Sequence, residues 1–595
     1  MERSQTLGFI LIFVVLVIWM WMNTSAPKPV AEPPAAGSVK DSAKSPPAKT
    51  ETIRAKEPAE LTSSPGLFFA GRDKGYERLF TVETDQFRAV ISNKGGTIRS
   101  WELKNHKTWD GRPVEMVDRR TGDFGLLFGT SDGKTLKSND LYFDAPGILP
   151  VTTLDKNNFE FEIVFTLPTS NGGRLVKAYR FSNDKSGADV RYEFYNLGAV
   201  IANYEVQVTW DHGVPFAEHN SVDESGFAAA YAFGGNELTE IDASTEGERV
   251  VKDLGGHVDW VAARNKYFGV ALIPMSPKTE GAVLEGVRTS APDNGIIESY
   301  GIALRMPFTG GASETVAVRL FVGPLDHKLL KSYENGLENI MSLGWAWVIR
   351  PLAEYVFLPL FIGIHYVVPN WGFVIIIFSI IIKIALHPLT RSSMKSMKKM
   401  QALQPMIKEI QEKHKDDPTK MGQAVTGLYK EYGVNPAGGC LPMLLQMPIM
   451  YALYAMFRSA IDLRQAAFVG WITDLSVPDV LFSLPFHLPL FGIKDLSGIA
   501  LLMGITMFVQ QKMTVMSDPR QKMMAWMMPI MFTLLFNSFP SGLNLYYAVF
   551  NVLAIVQQYW TNKQHEEEPL RKVEQKKKSR GGIFKYVKDI PRLKR

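Results

Sequence analysis

The sequence is poor in cysteine and contains no nucleotide-binding motif. Its 595 residues include one cysteine, Cys440, so no disulfide can form within the chain. No Walker-type phosphate loop occurs, so we expect no ATP hydrolysis and no cofactor or metal. The net charge is only +5, so the distribution of charge along the chain is more informative than its size. These absences exclude a disulfide scaffold and a nucleotide-driven motor.

Long apolar runs are almost absent from residues 23–335 and are concentrated between residues 355 and 560. Most of the methionines lie between Met394 and Met531, in the same part of the chain. At this length two or more structural units are expected. The contrast predicts a multi-domain membrane protein with a soluble N-terminal part and a membrane-embedded C-terminal part.

One apolar run stands apart at the N-terminus, in residues 7–22, and it ends near Trp19 and Trp21. A cleaved signal peptide would have small residues at this point, so we favour an uncleaved transmembrane anchor over residues 1–22. Residues 23–65 are rich in Pro, Ala, Lys and Ser and cannot bury a core. We interpret them as a disordered linker.

Residues 66–335 alternate apolar and polar side chains, as half-buried strands do. Turn sequences such as Asn93-Lys94-Gly95-Gly96 separate the strands. The pattern predicts a large antiparallel β-sandwich. The clearest alternating series are Phe159 to Leu167, Val190 to Phe194, Tyr204 to Trp210 and Val316 to Val322.

Scattered histidines provide the only candidates for chemistry in this β domain. Asp211-His212, which follows the strand ending at Trp210, is the best of them. A histidine in a loop is far more often structural than catalytic, so we assign no active site and expect the protein not to be an enzyme.

The C-terminal half predicts a five-helix transmembrane core over residues 371–560. Residues 336–370 precede it, and we interpret residues 336–350 as an amphipathic helix lying on the outer membrane surface. The second core helix contains Pro442 and Pro448, whose backbone breaks require close helical neighbours. The predicted core helices are residues 371–389, 436–457, 488–509, 522–539 and 542–560.

Basic residues set the orientation of these helices. Residues 391–432 and the tail at 561–595 are rich in Lys and Arg, whereas residues 459–487 carry Arg464 among several aspartates. We therefore place both termini in the cytoplasm and the β domain in the periplasm of a bacterial inner membrane. Residues 391–432 also predict a helical hairpin with a turn at Asp416-Asp417-Pro418. Its basic residues are Arg391, Lys395, Lys398 and Lys399.

The first core helix carries a charge, Lys383, inside an otherwise apolar run. Burying an unpaired ammonium in hydrocarbon is costly. Lys383 therefore either extends to the membrane interface or faces a hydrated cavity. Both interpretations are compatible with its position near the end of the run.

Several short motifs occur in order along the C-terminal half. They are His387-Pro388-Leu389-Thr390, Asn435-Pro436-x-Gly438-Gly439-Cys440-x-Pro442, Leu445-Gln446-Met447-Pro448-Ile449, Leu463-Arg464-Gln465-Ala466 and Phe539-Pro540-Ser541-Gly542-Leu543-x-Leu545-Tyr546-Tyr547. Weaker markers in the β domain are Gly95-Gly96-Thr97-Ile98 and Trp260-Val261-Ala262. Together these motifs resemble the YidC/Alb/mitochondrial oxidase-assembly family of insertases, in its Gram-negative YidC form, and the match covers about residues 336–560.

The resemblance implies a hydrophilic groove that is open to the cytoplasm and to lipid and closed on the outside. A basic residue lies in this groove, and Lys383 matches its position, where most relatives have arginine. Lysine keeps the positive charge but not the planar bidentate fork. Ser379 lies one turn away on the same helix face, and Tyr546 and Tyr547 match positions near the groove. The expected apolar slide for clients consists of Met443, Met447, Met450, Met524, Met527 and Met528.

The implied function is insertion and folding of nascent inner-membrane proteins, independently or with the Sec translocon. The basic hairpin and tail suggest contacts with anionic lipids or with the ribosome, and no DNA partner is expected. Two rival hypotheses are a secondary transporter that uses Lys383 and an envelope polysaccharide-binding protein. A transporter would favour inverted repeats, and the sequence contains none that we can detect.

Overall fold

The computed structural model describes residues 65–292, 295–344, 347–434, 441–486, 493–513 and 519–564. They fall into a β unit, which extends to Ser342 and includes Ser459–Ile461, and a helical unit made of Leu343–Arg458 and the chain from Asp462 onward. The predicted anchor at 1–22, nearly all of the linker and the tail beyond residue 564 lie outside the described residues. Each unit is described by itself below.

The β unit consists mainly of antiparallel strands, as the alternating sequence predicts. Its strands in chain order are β1 Leu79–Glu83, β2 Phe87–Ser92, β3 Ile98–Lys107, β4 Pro113–Glu115, β5 Gly125–Thr130, β6 Thr135–Lys137, β7 Val151–Thr153, β8 Glu160–Pro168, β9 Arg174–Ser182, β10 Gly187–Tyr195, β11 Ile201–Trp210, β12 Ala229–Gly234, β13 Glu237–Ile241, β14 Arg249–Gly255, β15 Trp260–Arg264, β16 Phe268–Ser276, β17 Gly281–Ala291, β18 Gly295–Pro307 and β19 Ser313–Pro324. Two short helices, α1 Ser221–Ser225 and α2 His327–Lys331, lie among the connections.

Three sheets are formed by these strands within the described residues. The largest has the order β13-β12-β15-β16-β19-β10-β9-β8. The second has the order β14-β17-β18-β11-β5-β6, and the third has the order β4-β3-β2-β1-β7. Neighbouring strands are antiparallel except β1 and β7, which pair in parallel.

One face of the largest sheet is covered by the two smaller sheets. Tyr179 and Phe181 are two residues apart on β9 and therefore point to the same face. Tyr179 contacts Phe124 at the start of β5, with ring centroids 5.9 Å apart. Phe181 contacts Phe87 on β2 and Trp101 on β3 at 6.3 and 6.2 Å. These aromatic contacts form the core of a two-layer β-sandwich, and the predicted fold class is confirmed.

The segment between the β-sandwich and the first long helix differs from the prediction. Residues 336–350 do not form one amphipathic helix, because a short 3₁₀ turn at Leu337–Ile340 is followed by extended backbone at Met341. Gly336 and Gly344 both have positive φ, a conformation that interrupts a helix. Continuous helical structure begins at Ile349, with α3 Ile349–Pro351, a π-helical turn and α4 Leu358–His365.

The helical unit contains long helices at the predicted core positions. They are α5 Trp371–Ala402, α6 Gln404–Lys413, α7 Pro418–Glu431, α8 Leu441–Ser459, α9 Gly498–Met513, α10 Pro519–Phe536 and α11 Ser541–Gln564, with a two-stranded hairpin of β20 Phe482–Ser483 and β21 Asp495–Leu496. Within the described residues, Trp371–Pro388 alone is long and apolar enough by length and composition to cross a membrane, with a mean hydropathy of 2.0. Trp526–Phe536 is a shorter apolar helical segment.

The third predicted core helix begins later than expected. The prediction started it at residue 488, but α9 begins at Gly498, and residues 495–496 belong to β21. Asp479 causes the late start, since its carboxylate accepts hydrogen bonds from the N–H groups of Gly498 and Ile499 at 2.8 and 3.1 Å. An acidic group at this position stabilises a helix N-terminus.

The predicted helical hairpin is present, but its first arm is divided. Helix α5 continues through Pro388 as far as Ala402, and α6 begins again at Gln404. Asp417 caps α7 by accepting hydrogen bonds from the N–H groups of Thr419 and Lys420 at 3.2 and 3.0 Å. The predicted turn before Pro418 is therefore confirmed. Apolar contacts among Leu403, Ile407, Leu428 and Val434 hold the two arms together.

Candidate functional site

Lys383 lies in the middle of α5 and is nearly buried, with 9% of its surface exposed. Its ammonium nitrogen is 4.2 Å from the ring centroid of Phe550 on α11. Such cation–π contacts contribute about 0.5 to 2 kcal/mol. Among the described residues, no carboxylate forms an ion pair with Lys383 and no acceptor hydrogen-bonds to it. The ammonium therefore retains donors that a ligand can use.

Ser379 precedes Lys383 by one helical turn and is fully buried. Its hydroxyl donates a hydrogen bond of 2.7 Å to the carbonyl of Ile375. The hydroxyl proton is therefore used within the helix, while the oxygen lone pairs can still accept. Ser379 and Lys383 lie on the same helix face, as the spacing predicts.

Tyr546 and Tyr547 lie on α11 next to this face. The Tyr546 ring is fully buried and lies 6.2 Å from Phe378 and 5.8 Å from Phe550, between centroids. The two tyrosine rings are 5.2 Å apart and nearly perpendicular. Within the described part of the chain, the Tyr547 hydroxyl has no hydrogen-bond partner, and the Tyr546 hydroxyl has only the nearby Gln446 amide on α8, without good hydrogen-bond geometry. Unpaired buried hydroxyl groups are costly, which is typical of a site that awaits a ligand.

Two further polar side chains share this property and were not predicted as site residues. The amide nitrogen of Gln446 on α8 is buried and lacks a well-aligned partner among the described residues. The amide oxygen of Asn544 on α11 is also buried and lacks a partner there. The other end of the Asn544 amide donates to the carbonyl of Phe536 at 3.0 Å. Gln446 could have been predicted as a site residue, because it is a single amide side chain within the apolar sequence Leu445-Gln446-Met447.

The N-terminal ends of α9 and α11 are closed by a polar cluster. Asp479 accepts hydrogen bonds from the Trp471 indole N–H and the Ser497 hydroxyl, at 2.7 and 2.5 Å. Ser541 donates through its N–H to the carbonyl of Val477 and through its hydroxyl to the carbonyl of Asp474, at 2.8 Å in each case. These bonds join the 471–479 loop to both helices, so this end of the unit is well packed.

The methionines predicted as a slide differ in their exposure. Met447 on α8 and Met527 on α10 are about half exposed, at 46% and 49%. Met450 and Met528 are partly buried. The side chains of Met443 and Met524 lie outside the described residues. The described members therefore offer flexible apolar surface on α8 and α10.

The predicted basic residues follow Lys383 on the same helix, α5. Arg391 and Lys399 are exposed, and the side chain of Lys395 is outside the described residues. Lys398 donates a hydrogen bond of 3.4 Å to the carbonyl of Thr561 near the C-terminal end of α11. A cation at this position interacts favourably with the helix dipole, so Lys398 has a local partner that the sequence did not indicate.

His212 in the β unit has a structural environment. Its Nδ1 lies 3.2 Å from an oxygen of the buried Asp123 carboxylate. The hydrogen bond to Asp123 raises the pKa of His212. The same carboxylate accepts the N–H groups of Asp211 and His212 at 2.7 and 2.8 Å. Asp123 thus stabilises the turn after β11, and within the described residues no group of three or more metal-ligating side chains forms.

Fold and site together define a membrane protein with a β-sandwich domain and a helical core that buries a cation for which the described residues supply no counter-ion. Residues 363–568 match the model of the family described as 60Kd inner membrane protein, and residues 79–355 match the YidC periplasmic domain. The chain belongs to the YidC membrane protein insertase family, as its motifs predicted. The helical part is accordingly that of an inner membrane protein, and the β unit is a periplasmic domain.

Curated relatives match over nearly the whole chain. The membrane protein insertase YidC of Chlorobaculum parvum is 40% identical and the match covers 94% of each chain. The protein of the same name from Chlorobium phaeovibrioides is 37% identical and the match covers 98% of this chain and all of the relative. A crystal structure of an active YidC insertase with its first transmembrane domain resolved is 20% identical, with a TM-score of 0.35, and covers 84% of this chain and 95% of that one.

Proposed function

We propose that this protein inserts nascent membrane proteins into the bacterial inner membrane and assists their folding. The observation that carries the proposal is the buried Lys383 ammonium, which has an aromatic ring but no carboxylate as its described neighbour. A buried cation of this kind is expensive to maintain and indicates a functional site. The names of the 37–40% identical relatives support the same function.

The first step is capture of a client segment by charge. An acidic or polar segment of the client enters the groove from the cytoplasm, and its carboxylate approaches Lys383. In a poorly hydrated site the attraction between two opposite charges is much stronger than in water. The Phe550 ring holds the ammonium in the absence of a client, and the carboxylate competes with that contact.

The second step is stabilisation of the client backbone part-way across the bilayer. A peptide group without a hydrogen-bond partner is costly in hydrocarbon. The buried polar groups of Gln446, Tyr546 and Tyr547 can supply such partners. Because these groups lack well-aligned partners in the described structure, binding a client segment relieves a cost on both sides.

The third step is release of the apolar client helix into lipid. Met447, Met450, Met527 and Met528 on α8 and α10 present flexible side chains to clients of varied shape. We include Met443 and Met524 in the same slide. Transfer of apolar surface into lipid provides the driving force, together with the membrane potential. The protein makes and breaks no covalent bond in this mechanism, and it is not an enzyme.

The proposed topology places both termini and the α6–α7 hairpin in the cytoplasm. Residues 1–22 anchor the chain, 23–65 link it to the periplasmic domain at 66–335, residues 336–370 lead into the insertase core at 371–560, and 561–595 form the tail. Arg391, Lys395, Lys398 and Lys399 then lie on the cytoplasmic side, where anionic lipids or ribosomal RNA are the proposed partners. The Sec translocon is a further proposed partner.

Insertion of a small acidic-tailed membrane protein into proteoliposomes tests this function. We expect Lys383→Arg to remain active, Lys383→Ala to lose most activity and Lys383→Glu to be the least active. Equal insertion by the wild type and the three variants would contradict the proposal that Lys383 attracts clients by its charge. Solute accumulation that depends on Lys383, without any client insertion, would instead support a secondary transporter.

A further inference from the structure

Helices α5 and α11 run in the same direction and contact each other in register. Phe378 on α5 is near Tyr546 on α11, and Lys383 is near Phe550. One helical turn beyond Lys383, His387 contacts Gln557. Phe550 and Gln557 are seven residues apart and thus lie on one face of α11. The Lys383–Phe550 contact is therefore followed by a polar contact on the same pair of helix faces.

The polar contact consists of one amide group with two acceptors. The Nε2 of Gln557 lies 3.0 Å from the Nδ1 of His387 and 3.1 Å from the hydroxyl oxygen of Thr390. An amide nitrogen carries two protons and can donate to both acceptors at once. Gln557 thereby bridges α11 to two successive positions of α5.

The direction of these hydrogen bonds follows from the environment of Thr390. Its hydroxyl lies 3.0 Å from the carbonyl of Leu386 and 3.1 Å from that of His387, so its single proton is donated within α5. The hydroxyl oxygen must then accept from Gln557. With the Gln557 amide nitrogen donating to both groups, the matching His387 tautomer has Nδ1 as the acceptor and carries its proton on Nε2.

We propose that Gln557 is a positioning residue of the insertase core. The two hydrogen bonds from its amide nitrogen to His387 and Thr390, called the Gln557 fork below, fix α11 against α5. They thereby keep the Phe550 ring beside the Lys383 ammonium. The inference rests on the proposed insertion function for its activity readout only, because the contact itself is measurable without a client. In the proposed topology the fork lies at the cytoplasmic end of the groove, where clients enter.

Crosslinking of the intact protein in membranes measures the contact directly. Cys440→Ser gives a cysteine-free chain, and Met394→Cys with Thr561→Cys then places thiols where the Met394 sulfur and the Thr561 hydroxyl are 3.8 Å apart. A short bismaleimide crosslinks them. Gln557→Met keeps the length of the side chain but removes the donor, and we expect it to lower the crosslinking rate about fivefold.

The acceptors provide a matched series of variants. His387→Leu and Thr390→Val each leave one acceptor, so each alone has a small effect. The double variant should reproduce Gln557→Met. Asn551→Ala is the control, since Asn551 is a polar residue of α11 that contacts Thr506 on α9 at 3.5 Å, and crosslinking should be unchanged. Unchanged crosslinking in Gln557→Met, or an equal loss in Asn551→Ala, would overturn the fork.

Insertion kinetics then test whether the fork acts through Lys383. We expect Gln557→Met to slow insertion about fivefold in the wild-type background and less than about twofold in Lys383→Ala, since coupled residues are not additive. An equal loss in both backgrounds would refute positioning through Lys383. If every Lys383 variant inserts normally, the proposed function fails, while the crosslinking result still decides whether the fork exists.

Discussion

The β-sandwich and the helical unit each bury a lysine against aromatic rings, but the two lysines differ in how they are satisfied. Lys177 on β9 is fully buried, and its ammonium donates to the carbonyls of Gly95 and Phe124 at 3.3 and 2.9 Å. Three rings surround it, with centroids 4.6 to 5.5 Å away. Lys383 has one ring at 4.2 Å and no described hydrogen-bond partner.

The difference separates a structural lysine from one that is available to a ligand. Burial lowers the pKa of Lys177 well below its usual value, yet fixed carbonyls occupy its donors. A buried polar group with partners stabilises a unique core, whereas one without partners is a cost that only a function can justify. The tyrosines do not divide in the same way. In the β-sandwich Tyr179 donates to the carbonyl of Gly96, but the buried hydroxyl of Tyr192 has no described partner, as is also the case for Tyr547 in the helical unit.

Exchange of each lysine for alanine should separate the two roles most strongly. Lys177→Ala removes a buried side chain and the donor for two carbonyls, so we expect the β-sandwich to lose about 3 kcal/mol of unfolding free energy. Insertion per folded molecule should be unchanged. Lys383→Ala should leave the thermal stability of the helical unit the same or higher while insertion falls. Calorimetry and a quantitative insertion assay on the same samples measure both quantities. Loss of insertion activity in a correctly folded Lys177→Ala variant would contradict a purely structural role for Lys177.

The pH dependence of the β-sandwich should reveal a second buried group, Glu298. Burial raises the pKa of this carboxyl to about 7, although Tyr300 donates to it at 3.0 Å and Arg288 lies 3.4 Å away. The folded state thus binds the proton more tightly than the unfolded chain, whose carboxyl has a pKa of 4.5. The contribution of Glu298 to stability is therefore fully present below pH 4.5, falls as the pH rises to about 7, and is lost above that.

Hydrogen exchange of the β18 amides in the intact protein measures this effect. Between pH 5 and 8, after correction for intrinsic exchange rates, the opening free energy should fall by about 2 kcal/mol in the wild type. Glu298→Gln should flatten that slope. A slope that persists unchanged in Glu298→Gln would assign the titration to another group.

Removal of one tyrosine hydroxyl from each unit tests the same comparison between structural and functional groups, with a smaller expected change in stability. Tyr179→Phe leaves the Gly96 carbonyl without its donor and should cost the β-sandwich about 1 kcal/mol without affecting insertion. Tyr547→Phe removes a group that has no described partner, so stability should not fall, and insertion should slow. Thermal unfolding and insertion rates of the two variants, with wild type as reference, give the result. A stability loss in Tyr547→Phe would indicate an existing partner.

The fold was largely predictable because alternation and long apolar runs are local signals. The strands around Phe165, Tyr192, Val208 and Val318 lie where the period of two placed them. The helix boundaries were less predictable. The start of α9 depends on Asp479, which precedes the helix by about twenty residues, and no local pattern reports such a cap.

The candidate site was predictable only in part, for a similar reason. Lys383 is visible as a charge in an apolar run, and the resemblance to a family placed Ser379 and the two tyrosines beside it. The neighbours Phe550, Gln446 and Gln557 come from other helices, more than sixty residues away along the chain. Their contacts depend on helix register, which periodicity alone does not determine.

The length of α5 has a mechanical consequence. Its 32 residues extend for about 48 Å at 1.5 Å per residue, whereas the hydrocarbon of a bilayer is about 30 Å thick. One continuous rod therefore carries Lys383 at its middle and meets the Leu403 cluster at its end. A force applied to the α6–α7 hairpin, such as docking of a bulky partner, acts on a lever arm that carries Lys383 at its middle. Tilting that rod would move the charge relative to the other helices of the unit.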